Sequence, residues 1–210
     1  MARSKSSSAW LKRHVTDPYV HRAKAQGYRS RAAYKLLELL KRDGLVHPSD
    51  IVVDLGAAPG SWSQALVERV GRAGRVIAVD LLEIVPIPGV TAIRGDFREE
   101  AVLKRLEEAL DGKKLDLVVS DMAPNLSGVR ATDQARSIHL CELALEFAKD
   151  HLKPRGAFLV KVFQGAGYPE FLAAMRGVFA AVSSRKPAAS RGDSKEMYLL
   201  GKGLKGGTGR

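Results

Sequence analysis

At 210 residues, 45% hydrophobic and 27% charged, the chain is long enough for one sizeable core and has the make-up of a soluble globular protein. No apolar run approaches the ~18 residues that would span a bilayer, the basic, Ser-rich residues 1–10 lack the apolar stretch of a secretory signal, and a single cysteine, Cys141, excludes an internal disulfide and a multi-cysteine zinc site and fits a reducing cytosol. The net charge of +11 is concentrated: residues 1–42 hold eleven Lys/Arg against Asp17 and Glu38, so +9 sits in the first fifth of the chain.

Residues 1–29 read as a basic arm or short helix. Trp10, His14, Tyr19, His21 and Tyr28 are interleaved with its charges. Aromatic and hydrogen-bonding groups among cations favour a nucleic-acid partner over a merely solubilising arm. The arm shows no clean amphipathic helix, which counts against an acidic membrane surface. Ser30 then fits the N-cap of a helix over 31–40, with Gly44 as its stop.

From there strands and helices alternate. The pattern predicts a strand over 51–54, a helix over 61–70 stopped near Gly71 and Gly74, and strands over 75–80 and 90–96. A helix over 98–110 follows, with apolar positions at Ala101, Val102, Leu106 and Leu110, then a strand over 115–121. A long helix over 132–151 is predicted to end at Pro154 and Gly156, followed by a strand over 157–163 and a helix over 169–179. Strands over 182–186 and 197–200 close the series with no helix between them. Helices between short β-branched runs imply a mostly parallel sheet covered on both faces. The last two strands lie too close for a crossover, so they pair antiparallel. The expectation is one α/β domain, doubly wound, with an antiparallel edge hairpin and no internal repeat. A second basic cluster, Arg185, Lys186, Arg191 and Lys195, precedes a Gly-rich basic tail over 204–210.

Ligands of such sheets bind outside the carboxyl ends of the strands. Four predicted strands finish in a carboxylate, at Asp54, Asp80, Asp96 and Asp121, and a fifth carries Lys161 within an apolar run. Any one Asp there is an ordinary cap or turn former; four at equivalent places ask for another reason. The stretch "VDLGAAPGSW" (53–62) turns from strand to helix on residues with almost no side chain. It lacks the spacing of a dinucleotide loop and the terminal Gly-Lys-Ser/Thr of a P-loop, and Pro59 removes a main-chain donor. A row of carboxylates also repels a pyrophosphate. A cationic nucleoside without phosphate, S-adenosylmethionine, suits these groups: Asp80 to accept from the ribose hydroxyls, Asp96 from the adenine amine, and small residues through Gly60 to touch the methionine part. Trp62 either flanks that part or packs on the sheet.

The blocks "SRAAYKLLEL" (30–39), "DLGAAPGSWSQ" (54–64), "VVSDMAPNLSG" (118–128), "FLVKVFQG" (158–165) and "SRGDSKEMYLL" (190–200) resemble, in that order, the FtsJ-type ribosomal RNA 2′-O-ribose methyltransferases. The resemblance implies a seven-stranded Rossmann-like methyltransferase domain over 30–203 and a cytoplasmic enzyme. It implies a catalytic set of Lys35, Asp121, Lys161 and Glu196, and cofactor contacts at Gly60, Trp62, Asp80, Asp96 and Asp121. Its implied substrate is a uridine in 23S rRNA of the large ribosomal subunit. No metal is expected, His139 and Cys141 reading as packing residues, and a monomer is the expected state. Within the implied set Lys161 is the candidate base, taking the hydroxyl proton late, with Asp121 orienting its ammonium and Lys35 and Glu196 fixing the ribose. Burial and Lys35 favour a neutral amine there, Asp121 and Glu196 a charged one, and residue types alone leave both forms open. A tRNA or other RNA ribose methyltransferase, or a catalytically silent RNA-binding relative, are the competing readings.

Overall fold

The computed structural model describes residues 15–125, 127–190 and 194–206. Residues 1–14 of the basic arm, Arg191 of the second basic cluster and the end of the tail lie outside them. The described elements are α1 (Pro18–Ala25), α2 (Ala32–Asp43), β1 (Ile51–Leu55), α3 (Ser61–Val70), β2 (Arg75–Asp80), β3 (Val90–Arg94), α4 (Glu100–Leu110), β4 (Leu115–Ser120), α5 (Arg130–His151), β5 (Leu152–Phe163), α6 (Tyr168–Val178), β6 (Phe179–Arg185) and β7 (Glu196–Leu204).

The strands form one sheet in the order β3-β2-β1-β4-β5-β7-β6. The first five are mutually parallel. β7 runs antiparallel between β5 and β6. This is the doubly wound α/β sheet that the alternation predicts, with its antiparallel pair at one edge. Apolar residues leave both faces of nearly every strand, so the sheet is covered on both sides. One face packs on α4, α5 and α6 through Val53, Ile77, Val118, Val160 and their neighbours. The other packs on α2 and α3 through Val52, Val76, Leu117, Leu159 and Leu200.

Successive strand side chains alternate between these faces. Asp54, between Val53 and Leu55 of the first core, must point with Val52 toward α2 and α3. The same period carries Asp80, Asp121, Lys161, Tyr198 and Glu196 to that side. The sheet thereby gathers its polar residues on one face, at the carboxyl ends of its parallel strands.

Most predicted elements stand within a few residues of their observed ends, with one instructive exception. Pro154 and Gly156 do not separate the long helix from the next strand. α5 ends at His151 and passes directly into β5, where both residues lie. The register slips between Leu115 and Leu117 opposite them. An irregular pairing leaves the missing N–H of Pro154 without a ladder partner to disappoint. Glu196, expected just before a strand, is the first residue of β7.

α1 is the short helix of the N-terminal segment. Asp17 caps it, accepting from Tyr19 N at 3.0 Å. It packs through Ala23 on Tyr34 and Ala189, and the Tyr34 hydroxyl donates to Gln26 Oε1 at 2.9 Å. Arg31 fastens the arrangement by donating to Asp17 and to the main-chain oxygen of Ala189.

Candidate active site

Lys161 lies near the end of β5 with only 8% of its surface exposed. A buried ammonium needs partners, and Asp121 provides two. Lys161 Nζ donates to the Asp121 main-chain oxygen at 2.7 Å and stands 2.9 Å from its Oδ1. From below, the Cys141 thiol donates to the main-chain oxygen of Lys161 at 3.2 Å. Burial pushes that thiol up to about 12, so it is a packing group.

Asp121 follows β4, its N–H held by Leu55 O at 3.0 Å. Its Oδ1 also accepts from the Tyr198 hydroxyl at 3.3 Å. Tyr198 is fully buried and sits opposite Lys161 in the β5–β7 register. Burial, reinforced by the negative charges of Asp121 and Glu196, holds its hydroxyl well above its ordinary value, so it remains a donor.

The second pair comes from the helix layer. Lys35 of α2 donates to Glu196 Oε1 at 2.5 Å, both side chains about one-seventh exposed. Burial raises the Glu196 carboxyl, but the hydrogen bond and charge of Lys35 outweigh it, and Glu196 stays below its usual range. Lys161 adds to that lowering, which puts the two pairs in one electrostatic cluster. All four residues of the expected catalytic set are therefore brought together.

The strand-end carboxylates divide by role. Asp80 ends β2 and joins two loops: its Oδ2 accepts from Ala58 N at 2.9 Å and its Oδ1 from Leu82 N at 2.8 Å. Lone pairs remain on both oxygens for further donors. Asp96, two residues beyond β3, is taken up by Arg98, which contacts both its oxygens at 2.6–3.1 Å and holds it below its ordinary value. Asp54 is inside β1, not at its end, and is wholly buried. Its Oδ2 accepts from Ser63 Oγ at 2.7 Å, while its Oδ1 has no partner among the described residues.

The side-chain-poor turn answers first to the protein itself. Gly56 has φ +76°, and a Cβ there would meet Met122 Cα and N at 2.8 Å. Gly60 has φ +102°, and a Cβ there would come within 2.8 Å of Ile87 and the Arg29 guanidinium. Trp62 packs inward. Its indole N–H donates to Ala32 O at 2.9 Å, and its ring leans on Tyr198 at 5.8 Å. The side chain is 3% exposed, so what Trp62 leaves for a ligand is its main chain at the N-terminus of α3.

Residues 28–204 match the family described as FtsJ-like methyltransferase. The chain belongs to this family. It is 62% identical over 203 residues to a Chromobacterium violaceum protein named Ribosomal RNA large subunit methyltransferase E, an alignment spanning 97% of this chain and 99% of that one. A Plasmodium falciparum structure described as a ribosomal RNA methyltransferase superposes with a TM-score of 0.73 at 31% identity, covering 84% of this chain and 98% of that one. A Streptococcus mutans structure described as a methyltransferase in complex with SAH shares the fold, with a TM-score of 0.52 at 12% identity over 83% and 96% of the two chains.

An FtsJ-like methyltransferase must hold a methyl donor, and the ends of β1, β2 and β4 stand close together on one face of the sheet. The groups gathered there, the Asp80 carboxylate and the main chain of Gly56 and Gly60, suit a cation. Sequence reasoning missed two members of this site. Tyr198 shares a face with Glu196 two residues earlier, a period-2 signal that was available. Arg29 carried no local signal, because its partners are 30 and 57 residues away.

Proposed function

We propose that this chain transfers a methyl group from S-adenosylmethionine to the ribose 2′-hydroxyl of a uridine in 23S rRNA of the large ribosomal subunit, working as a cytoplasmic monomer. The observation that carries this reading is the buried Lys161–Asp121 pair standing beside the Lys35–Glu196 pair at the carboxyl end of the sheet. The name of the Chromobacterium violaceum relative supports the choice of RNA. Among the described residues no helix is long and apolar enough to cross a membrane, and no group of three or more His, Cys, Asp or Glu could hold a metal ion.

Bound S-adenosylmethionine supplies an electrophilic methyl group on a sulfonium. Asp80 would accept from its ribose hydroxyls, and Gly60 with the main chain of Trp62 would line its amino-acid part; Asp96 stands on the same rim with its Arg98 partner. The chain's other residues place the RNA hydroxyl and dispose of its proton. Lys161 Nζ, once it has given up a proton to solvent and stands as the free amine, receives the proton of the 2′-oxygen late in the transfer. Asp121 O and Oδ1 fix the ammonium that results, and the Tyr198 hydroxyl fixes the Asp121 carboxylate. Lys35 has N–H donors beyond the one given to Glu196, and together the two residues hold the substrate ribose. Orientation of this kind can lower a barrier by up to roughly 7–11 kcal/mol in the best cases, so the pairs serve mainly as a fixed frame.

The test offers labelled S-adenosylmethionine to large subunits, free rRNA and tRNA. Label should enter the large subunit, on a ribose that resists alkaline cleavage. Label on tRNA alone would replace the substrate, and label on a base would replace the chemistry. Lys161→Ala should abolish transfer while leaving S-adenosylmethionine affinity within a few-fold; normal turnover by that variant would remove Lys161 from the mechanism.

A further inference from the structure

Arg29 has an unusual set of partners for an arginine in the basic N-terminal segment. Its Nη1 donates to Pro59 O at 2.7 Å and its Nη2 to Pro86 O at 3.1 Å. No carboxylate is among these contacts. The two carbonyls belong to different loops, one following β1 and one following β2, which on the proposed reading flank the S-adenosylmethionine site. Asp80 joins the same loops from within, through Ala58 N and Leu82 N. The planar guanidinium, with donors in a fixed fork, can set a spacing between two acceptors that a single ammonium cannot.

The residue is also delivered rigidly. Four consecutive residues are pinned to α3 or its first turn. Gly27 O accepts from Gln64 Nε2 at 3.0 Å, and Arg29 N donates to Gln64 Oε1 at 2.9 Å. The Tyr28 hydroxyl donates to Glu68 Oε2 at 2.7 Å, and the Ser61 hydroxyl to Ser30 Oγ at 2.8 Å. The guanidinium thus reaches its carbonyls from a backbone that is already fixed, and it occupies the space above Gly60.

We propose that Arg29 is a positioning residue for the methyl donor: it clamps the Pro59 loop to the Pro86 loop and sets the width of the cleft between them. The basic segment then serves the cofactor site as well as any RNA. This inference rests on the cleft being the S-adenosylmethionine site. That premise is checked first, by titrating S-adenosylmethionine into wild-type protein with no RNA present; no binding there would refute the cofactor reading itself.

With wild-type binding established, Arg29→Ala and Arg29→Lys are titrated in the same way, and their melting temperatures are measured without ligand. Both variants should bind S-adenosylmethionine about tenfold more weakly, the scale of one lost charge-assisted hydrogen bond. Their KM for S-adenosylmethionine should rise with kcat little changed. Arg29→Lys keeps the charge, so its RNA affinity should stay within about twofold of wild type. If Arg29→Ala melts too low to be titrated, Arg29→Lys decides. Wild-type S-adenosylmethionine affinity in folded Arg29→Lys overturns the clamp. So does an Arg29→Ala protein that keeps its S-adenosylmethionine affinity and loses only RNA binding, because Arg29 would then be a phosphate contact.

Discussion

The carboxyl of Asp54 is out of water entirely, one oxygen on Ser63 and the other without a partner among the described residues. Burial pushes it from 3.8 up to about 7; the Ser63 hydrogen bond opposes this, and the charges of Asp121 and Asp80 add to it. Below about pH 4 both folded and unfolded forms are protonated, and the group costs the fold nothing. As pH climbs toward 7 the unfolded chain gives up this proton and the folded one keeps it, so stability falls across that window and levels off above it. Each tenfold difference in proton affinity between the two forms corresponds to about 1.4 kcal/mol. Asp54→Asn, isosteric and uncharged, should therefore melt at a higher temperature than wild type at pH 8 and match it near pH 4. Melting curves between pH 4 and 8 check this, and parallel profiles for the two proteins would show that Asp54 is ionised in the fold. Residue types alone marked Asp54 as a strand-end carboxylate, and Lys161 as a lysine in an apolar strand. Period-2 spacing puts Tyr198 on the face of Glu196, but the meeting of its hydroxyl with Asp121 depends on a β5–β7 register that no local pattern encodes.

At the scale of the element, the strand-to-helix turns decide how closely the sheet can be approached. The turn after β1 lies against Met122 at the end of β4, and the Gly56 contact there is with main chain, which cannot swing aside. Gly56→Ala combines that overlap with a positive φ that disfavours a side chain by about 1–2 kcal/mol. The total should reach roughly 2–4 kcal/mol, or a drop in melting temperature of roughly 5–15 °C for a chain of this size. Gly177 makes the opposite case. It lies in α6, where an added Cβ would meet nothing within 4 Å, so Gly177→Ala should gain about 0.5–1 kcal/mol from helix propensity. Equal melting temperatures for the two variants would mean that the turn yields to Met122. Sequence patterning recovers these elements well because alternation and helical period are local properties. It fails at the α5–β5 junction because Pro154 and Gly156 break regular structure in general, and only the slipped register opposite them makes them acceptable in a strand.

Over the whole molecule, the concentration of charge in residues 1–42 was legible from composition, but its division of labour was not. Among the described residues, several of those cations are engaged within the fold: Arg22 over the Tyr34 ring, Arg29 on two loop carbonyls, Arg31 on Asp17 and Ala189, and Lys35 on Glu196. Residues 15–29 are accordingly part of the body of the protein, packed on α2 and α3, whereas a boundary at residue 30 would treat them as detachable. Two truncations separate these views. Removing residues 1–14 takes away Arg3, Lys5, Lys12 and Arg13. If each neutralises a phosphate, the slope of log affinity for RNA against log salt should become shallower by roughly 3–3.5, at roughly 0.7–0.9 per contact. S-adenosylmethionine binding should not change. Removing residues 1–29 also takes Arg29 and α1, so S-adenosylmethionine affinity and thermal stability should fall together with RNA affinity. Calorimetric titration of the cofactor and filter binding of RNA at several salt concentrations measure both. A 1–29 deletion that bound S-adenosylmethionine as tightly as the full chain would return the whole segment to the status of a detachable RNA arm.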